Sequence, residues 1–302
     1  MTKILVIGSI KDKTTEYFIN GLSSRNTDFD YVDIIRLGLA GRWHFGAENW
    51  LEVADELLSL DTYTGIFYRY VPLPKRSPDN QCAISKVERF CEAWHRYLEK
   101  TPIKVSTIPG RNFHNYSKGL HLIALSPALG GDNCTVRCPA TIVSNDKTQL
   151  LAFAEQSGYD LIAKGVSGSK TWALALDEQS FRAQLSNLSK VPILLQERIS
   201  GWECRAHVVG RTIVAERIDC TEADYRRKKG VRFQQITLSQ ELQSACFDLA
   251  LRAKALLAGI DFKVNSRGEW YLLEVNSMPC FQGYDRRAGG AIMNALVHEL
   301  GH

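Results

Sequence analysis

Two acids and an amide stand near the C-terminus in a pattern that could hold a metal ion. The segment Ile260-Asp261-Phe262-Lys263-Val264 alternates like a strand, Asn265-Ser266-Arg267-Gly268 is turn chemistry, and Glu269 to Val275 reads as a return strand. With a regular register about that turn, Val264 faces Glu269 and Asp261 faces Leu272, so Asp261, Leu272, Glu274 and Asn276 project from one side. A bulge in the turn would break this case for convergence. Hard oxygen ligands of this kind suit Mg²⁺, which keeps some waters and shares its remaining positions with phosphate oxygens. The plainer reading is a pair of solvated acids on an open sheet face. The apolar run Tyr271-Leu272-Leu273 weighs against it, because an acid that ends a buried strand needs a partner or a metal.

Two other segments carry phosphate-like chemistry. Gly165-Val166-Ser167-Gly168-Ser169 is a glycine-serine loop whose backbone N–H groups could approach an anion. The following Lys170-Thr171 tempts a Walker A reading, but GxxxxGK[ST] demands glycine directly before the lysine, so Lys170 stays an open phosphate contact. The basic stretch Asp224-Tyr225-Arg226-Arg227-Lys228-Lys229-Gly230-Val231-Arg232 reads, on its own, as a solvated loop. Arg286 and Arg287 fall near the start of the last predicted helix, where cations oppose the helix dipole, which hints that they answer an anion.

The elements that must position these residues fall into three groups. Lys3–Ser9, Tyr31–Arg36, Gly65–Val71 and Ile103–Ile108 read as strands, alternating with helices over 14–24, 47–60 and 85–100, which favours a small parallel sheet with helices on its faces. The loop Pro109–Asn115 precedes a new helical pattern at Ser117 and marks the first boundary. Strand 136–143, helix 146–156 and strands 159–164 and 171–176 make a compact α+β unit. Strand 193–199, a hairpin around Gly210-Arg211, helix 239–258, the second hairpin and a terminal helix ending near Leu300 complete the chain. The division is 1–112, 113–190 and 191–302, an α/β unit followed by two α+β units.

At 302 residues, with 45% hydrophobic and 23% charged content, the chain can bury a real core in one to three domains. A net charge of +4 from 37 basic and 33 acidic residues is too small to imply nucleic-acid binding, though it suits anionic ligands such as nucleotides. Eight cysteines without a CxxC pair or clustered histidines argue against zinc and for a reduced, cytoplasmic setting. No stretch approaches the about 18 apolar residues of a membrane span, and Ile4–Ile7 is too short for a signal peptide.

Gly259-Ile260-Asp261 and Leu273-Glu274-Val275-Asn276-Ser277-Met278-Pro279 resemble the C-terminal signature of ATP-grasp enzymes, particularly the RimK-like peptide and amino-acid ligases. The resemblance extends through Gly283-Tyr284-Asp285, and back through Leu195-Gln196-Glu197-Arg198 and Cys204-Arg205-Ala206-His207-Val208-Val209-Gly210, over roughly residues 110–302. It implies an ATP-grasp fold, two α+β subdomains clamping ATP behind a parallel-sheet N-terminal domain. Carried over residue by residue, it implies that Lys118 and Lys164 hold ATP phosphates and that Gly165 to Ser169 form the loop over them. Gln196, Glu197, Arg198 and Ile199 become the adenine hinge, and Glu203 the ribose acceptor, where the RimK pattern usually carries Asp. Arg205 resembles the arginine that the family places near the phosphates. Arg226 matches the arginine of the family's Asp-Phe-Arg element, at the γ-phosphate or substrate carboxylate, although Lys228, Lys229 and Gly230 replace the Asn and paired glycines that normally follow. Arg69 also resembles an arginine seen in relatives. Asp261, Glu274 and Asn276 would hold two Mg²⁺ ions, with Mn²⁺ as a substitute.

The reaction so implied starts with attack of a substrate carboxylate on the γ-phosphate of ATP. ADP is released, and an amine, from an amino acid or a peptide, attacks the acyl phosphate to form an amide. The alternative within ligases is peptide modification, either adding amino acids to a protein tail or forming amide or ester cross-links in a precursor peptide, as graspetide synthetases do. From other classes, a nucleotide-binding regulatory module without turnover and a kinase acting on an alcohol remain, but retention of both acids, the Asn and both lysines argues against the former. Nucleic acid and membrane are not expected as partners, and a homo-oligomer is left open.

Overall fold

A computed structural model describes residues 2–70, 73, 77–108, 135–166, 173–219 and 231–302. The first third is built on a parallel sheet in the order β2-β1-β6-β7, from β1 (Lys3–Gly8), β2 (Asp28–Asp33), β6 (Gly65–Tyr68) and β7 (Lys104–Val105). Every residue of β1 from Ile4 to Gly8 is buried, as a parallel strand covered on both faces must be. Leu5 and Ile7 pack with Phe90 and Trp94 of the helix α3 (Gln81–Leu98). Ile4 and Val6 pack with Phe18 and Leu22 of α1 (Lys13–Ser23) and with Ile292, Met293 and Leu296 of the last helix. The chain's end therefore closes the core of its beginning.

The helix expected over 47–60 is absent. A short helix α2 (Ile34–Ala40) ends β2, and the following residues form an antiparallel sheet, β3 (Arg42–Phe45), β4 (Asn49–Val53) and β5 (Glu56–Ser59). Ala54 and Asp55 both have positive φ, 55° and 65°, between the paired Val53 and Glu56. That is the two-residue hairpin turn whose twist matches paired strands, made here without the glycine that would have announced it.

The strand expected over 136–143 divides at Pro139 into β8 (Val136–Arg137) and β9 (Thr141–Ser144), which join different sheets. β9 belongs to an antiparallel sheet ordered β11-β10-β12-β9 with β10 (Leu161–Gly165), β11 (Ala173–Leu176) and β12 (Ile193–Glu197). Leu161, Ala163 and Leu195 pack under α4 (Lys147–Gln156) and α5 (Glu178–Leu188). α5, unforeseen in the sequence, opens with an Asp177–Ser180 capping box.

The largest sheet runs β15-β14-β13-β16-β17-β8, from β13 (Trp202–Val209), β14 (Thr212–Asp219), β15 (Arg232–Ile236), β16 (Leu257–Val264) and β17 (Trp270–Asn276). The helix expected to reach Ala258 is α6 (Gln240–Arg252); Lys254, at φ 48°, ends it and the chain turns into β16. Cys204, Ala206, Val208, Ile260, Phe262 and Leu272 form this sheet's core with Leu242, Cys246 and Leu249 of α6. Period-two alternation sends their neighbours to the opposite, polar face. Two helices, α7 (Gln282–Arg287) and α8 (Ala291–Gly301), end the chain. No described helix is long and apolar enough to cross a membrane.

Candidate active site

The second hairpin carries a bulge, and the regular register expected from the sequence does not hold. Val264 pairs with Trp270 and Phe262 with Leu272, then the register shifts so that Asp261 faces Glu274 and Gly259 faces Asn276. The extra residue is Leu273. Leu272 therefore points into the core with Phe262 rather than standing beside the acids as expected. Asp261 and Glu274 become direct cross-strand neighbours on the polar face, with Asn276 one step along.

The neighbouring strands extend this pair into a polar row. Arg205 faces Asp261 across β13 and β16, Glu216 faces Arg205 from β14, and Gln235 faces Glu216 from β15. Arg205 Nη1 donates to Asp261 Oδ2 at 2.5 Å, with only 6% of the arginine side chain exposed. One step away, Lys263 Nζ lies 3.2 Å from Glu203 Oε1, a cross-strand ion pair. A step in the other direction stands His207, fully buried beside Gly259, its ring 4.6 Å from that of Tyr284. Burial first, and the Arg205 cation second, push its pKa well below the ordinary value, so the imidazole is neutral. Gly259 is required by close approach: a methyl there would meet the Arg205 guanidinium and come within 2.7 Å of Pro279 Cβ.

The antiparallel sheet of β9 to β12 supplies the other expected wall. Lys164 Nζ donates to Gln196 Oε1 at 2.8 Å, and Gln196 Nε2 donates to Thr141 Oγ1 at 2.9 Å. Gln196 is 1% exposed, so its side chain holds the lysine in place, a role beyond the hinge position that the resemblance implies. Residues 198–201 carry the chain from β12 to β13, so the expected hinge, 196–199, runs from the end of β12 into the passage between the two sheets. Glu197 accepts from Ala140 N at 3.1 Å, and the Arg198 side chain pairs with Asp160 at 2.9 Å, so both side chains are used in fixing the passage. Ile199, half-buried, follows them. Lys118, Lys170, Arg226 and the loop from Ser167 to Ser169 lie outside the described residues.

Arg286 and Arg287 depart from expectation. They close the short helix α7 instead of opening the last one, where cations suit the dipole. Arg287 grips Glu216 through Nε and Nη2 at 2.7–3.1 Å and stacks 4.1 Å from the Phe233 ring centroid, while Arg286 lies over Tyr17 at 5.1 Å. Glu216 is 1% exposed, so Arg287 is the counter-ion of a buried carboxylate, while 38% of the arginine side chain itself is exposed.

The donor set can be tested against a metal. Among the described residues no three His, Cys, Asp or Glu side chains gather closely enough to hold an ion by themselves. Two carboxylates and an amide oxygen do fit Mg²⁺, which binds through one or two carboxylates plus water and substrate phosphates. The Asn276 Oδ1 accepts from Met278 N at 2.8 Å and keeps a second lone pair.

The sequence model of the RimK-like ATP-grasp domain matches residues 115–300. The chain belongs to the RimK-like ATP-grasp family. It is accordingly an ATP-grasp ligase by family, and its fold is the ATP-grasp fold. Among solved structures, macrocyclase MdnC from Microcystis aeruginosa MRC, bound with precursor peptide MdnA, superposes with TM-score 0.80 at 17% identity over 100% of both chains. The ATP-grasp ligase PsnB complexed with minimal precursor gives 0.79 at 24% over 99% of each, and PsnB has also been solved with minimal precursor, Mg and ADP. D-alanyl-alanine synthetase A from Vibrio cholerae gives 0.64 at 13%, over 99% of this chain and 97% of that one. A search of curated proteins returns no significant sequence match.

Proposed function

We propose that this ATP-grasp ligase modifies a precursor peptide, activating a side-chain carboxylate with ATP and joining it to an amine or hydroxyl of the same peptide. The observation that carries this reading is the full-length likeness to MdnC and PsnB, both solved with precursor peptides, against a TM-score of 0.64 to the D-alanyl-alanine synthetase. It favours the cross-linking alternative over the carboxylate-amine ligation, with an amino acid or a peptide as the amine, that the sequence alone put first. An amide from an amine and an ester from a hydroxyl are both within the chemistry.

In this reading the carboxylate attacks the γ-phosphate of ATP, the bond to the β-phosphate oxygen breaks, and ADP leaves. The nucleophile then adds to the acyl carbon, gives up its proton, and phosphate departs. The protein's work is alignment and charge neutralisation. Lys164, held by Gln196, and Arg205, held by Asp261, are fixed cations for the triphosphate, with Lys118 and Arg226 as further ones. The passage 196–199 presents backbone to adenine, and Glu203, steadied by Lys263, accepts from the ribose. Asp261, Glu274 and Asn276 would hold Mg²⁺, which supplies neutralisation of charge developing on the transferred phosphoryl group. The supply of ATP and Mg²⁺ fits a cytoplasmic enzyme.

Mass spectrometry tests the reading. Peptides carrying Asp or Glu together with Ser, Thr or Lys are incubated with enzyme, ATP and Mg²⁺. Loss of one water per cross-link, with one ADP formed for each, is expected. Coupling of free amino acids to one another, with every peptide returned unchanged, would overturn it.

A further inference from the structure

In the parallel sheet, β1 continues outward to β2 and β6 to β7, so the chain reverses direction of winding between β1 and β6. The crevice beyond the carboxyl ends of two such strands is where open α/β sheets receive ligands. Here Arg69, the residue after β6, reaches instead into the segment that follows β17, the strand of the candidate metal ligands Glu274 and Asn276. Its Nη1 donates to Met278 O at 3.1 Å and to Pro279 O at 3.0 Å, and its Nε donates to Asp12 at 2.7 Å. Arg69 is 9% exposed.

Both ends of this bridge are fixed. Asp12 is the N-cap of α1, and the same carboxylate oxygen that meets Arg69 accepts from Thr15 N and Thr15 Oγ1, each at 2.9 Å. On the far side Met278 N donates to Asn276 Oδ1 at 2.8 Å, and Tyr70 N reaches Met278 Sδ at 3.4 Å. Pro279 is packed close against Gly259, directly opposite Asn276. A continuous chain of contacts thus runs from Asp12 through Arg69 and Met278 to the candidate amide ligand. A guanidinium can serve a carboxylate and two successive carbonyls at once, because its donors form a rigid planar fork. Moving the 278–279 segment would strip partners from a buried cation, which is costly.

We propose that Arg69 is a positioning residue for the metal site. By holding Met278 it fixes the Asn276 amide beside Asp261 and Glu274, so that the N-terminal sheet governs metal affinity in the C-terminal one. The inference rests on the assignment of Asp261, Glu274 and Asn276 to the metal. Residues that orient a ligand through a hydrogen bond typically govern about 10–100-fold in metal affinity.

The test is Mn²⁺ binding to the full chain with ADP present, read from the electron paramagnetic resonance signal of free Mn²⁺, with thermal melting in parallel. Arg69→Lys keeps the charge but has no fork. It is expected to bind Mn²⁺ about 10-fold more weakly, whether or not its thermal midpoint also falls. Arg69→Met should bind more weakly still. A simple tie between domains would lower the midpoint and leave Mn²⁺ affinity alone, and that result for Arg69→Lys overturns the proposal. Glu274→Ala separates the two failures. If it loses Mn²⁺ while Arg69→Lys keeps full affinity, only the role of Arg69 falls; if it binds Mn²⁺ unimpaired, the metal assignment falls and the role of Arg69 with it.

Discussion

Gly259→Ala should damage nucleotide chemistry more than its one added carbon suggests. The new methyl would lie 2.7 Å from both Arg205 Cζ and Pro279 Cβ, whereas carbon contacts are comfortable at about 3.5–4.0 Å. Something must shift by about 1 Å. Arg205 has little room, because its side chain is 6% exposed and bonds Asp261 at 2.5 Å. Pro279 has little either, because Arg69 holds its carbonyl at 3.0 Å. Overpacking of this kind costs about 1–3 kcal/mol, and displacing the guanidinium from Asp261 would cost about 3 kcal/mol. Loss of one aligned charge donor to the reacting groups lowers turnover by about 100-fold or more. ADP release and thermal melting measured together check both effects. The matched control is Gly283→Ala, where the methyl meets only Arg287 Nη1 at 3.6 Å and helical alanine is favoured by about 1 kcal/mol. If Gly259→Ala melts with the control and releases ADP within about twofold of the unmodified enzyme, the packing of Arg205 against this strand is not what aligns the site.

Glu274→Ala should abolish ADP formation with an unchanged far-ultraviolet circular dichroism spectrum; retained turnover would remove this acid from the metal site. Gln196→Leu takes from Lys164 the acceptor at 2.8 Å and should raise the KM for ATP about 10-fold, the equivalent of about 1.4 kcal/mol, and steady-state kinetics at saturating peptide would show otherwise if the lysine is held by other means. The depressed pKa of His207 means that the unfolded chain takes up a proton before the folded one does. Stability should therefore fall as pH drops below the ordinary histidine value of about 6.5, by up to about 1.4 kcal/mol per pH unit from this group, and denaturant titrations of His207→Phe should lack that component.

Residue type was more legible than register. Asp261, Glu274 and Asn276 could be picked out as one oxygen-rich set because hard ligands at the end of an apolar strand are unusual. Their arrangement could not, because the bulge at Leu273 leaves no mark in a run of leucines, and one extra residue sends Leu272 inward and sets Asp261 opposite Glu274. The hairpin of β4 and β5 was read as helix for a similar reason: Ala54 and Asp55 take positive φ under tertiary constraint, where glycine or asparagine would have signalled a turn. Arg287 looked available to an anion because its partner, Glu216, lies 71 residues away and meets it only once the large sheet has formed. The side-chain role of Gln196 and the bridge made by Arg69 are long-range in the same sense. Local spacing identifies donors and acceptors, and folding decides which of them face each other.

The chemistry proposed for this chain turns on activation of a carboxylate as an acyl phosphate. The most direct measurement is phosphorus nuclear magnetic resonance of ATP turnover in the presence of substrate peptide and hydroxylamine, with the peptide analysed for hydroxamate. ADP and an acyl hydroxamate in equal amounts are expected, and neither from Glu274→Ala. AMP and pyrophosphate, or ADP formed with no hydroxamate at any peptide carboxylate, would contradict it.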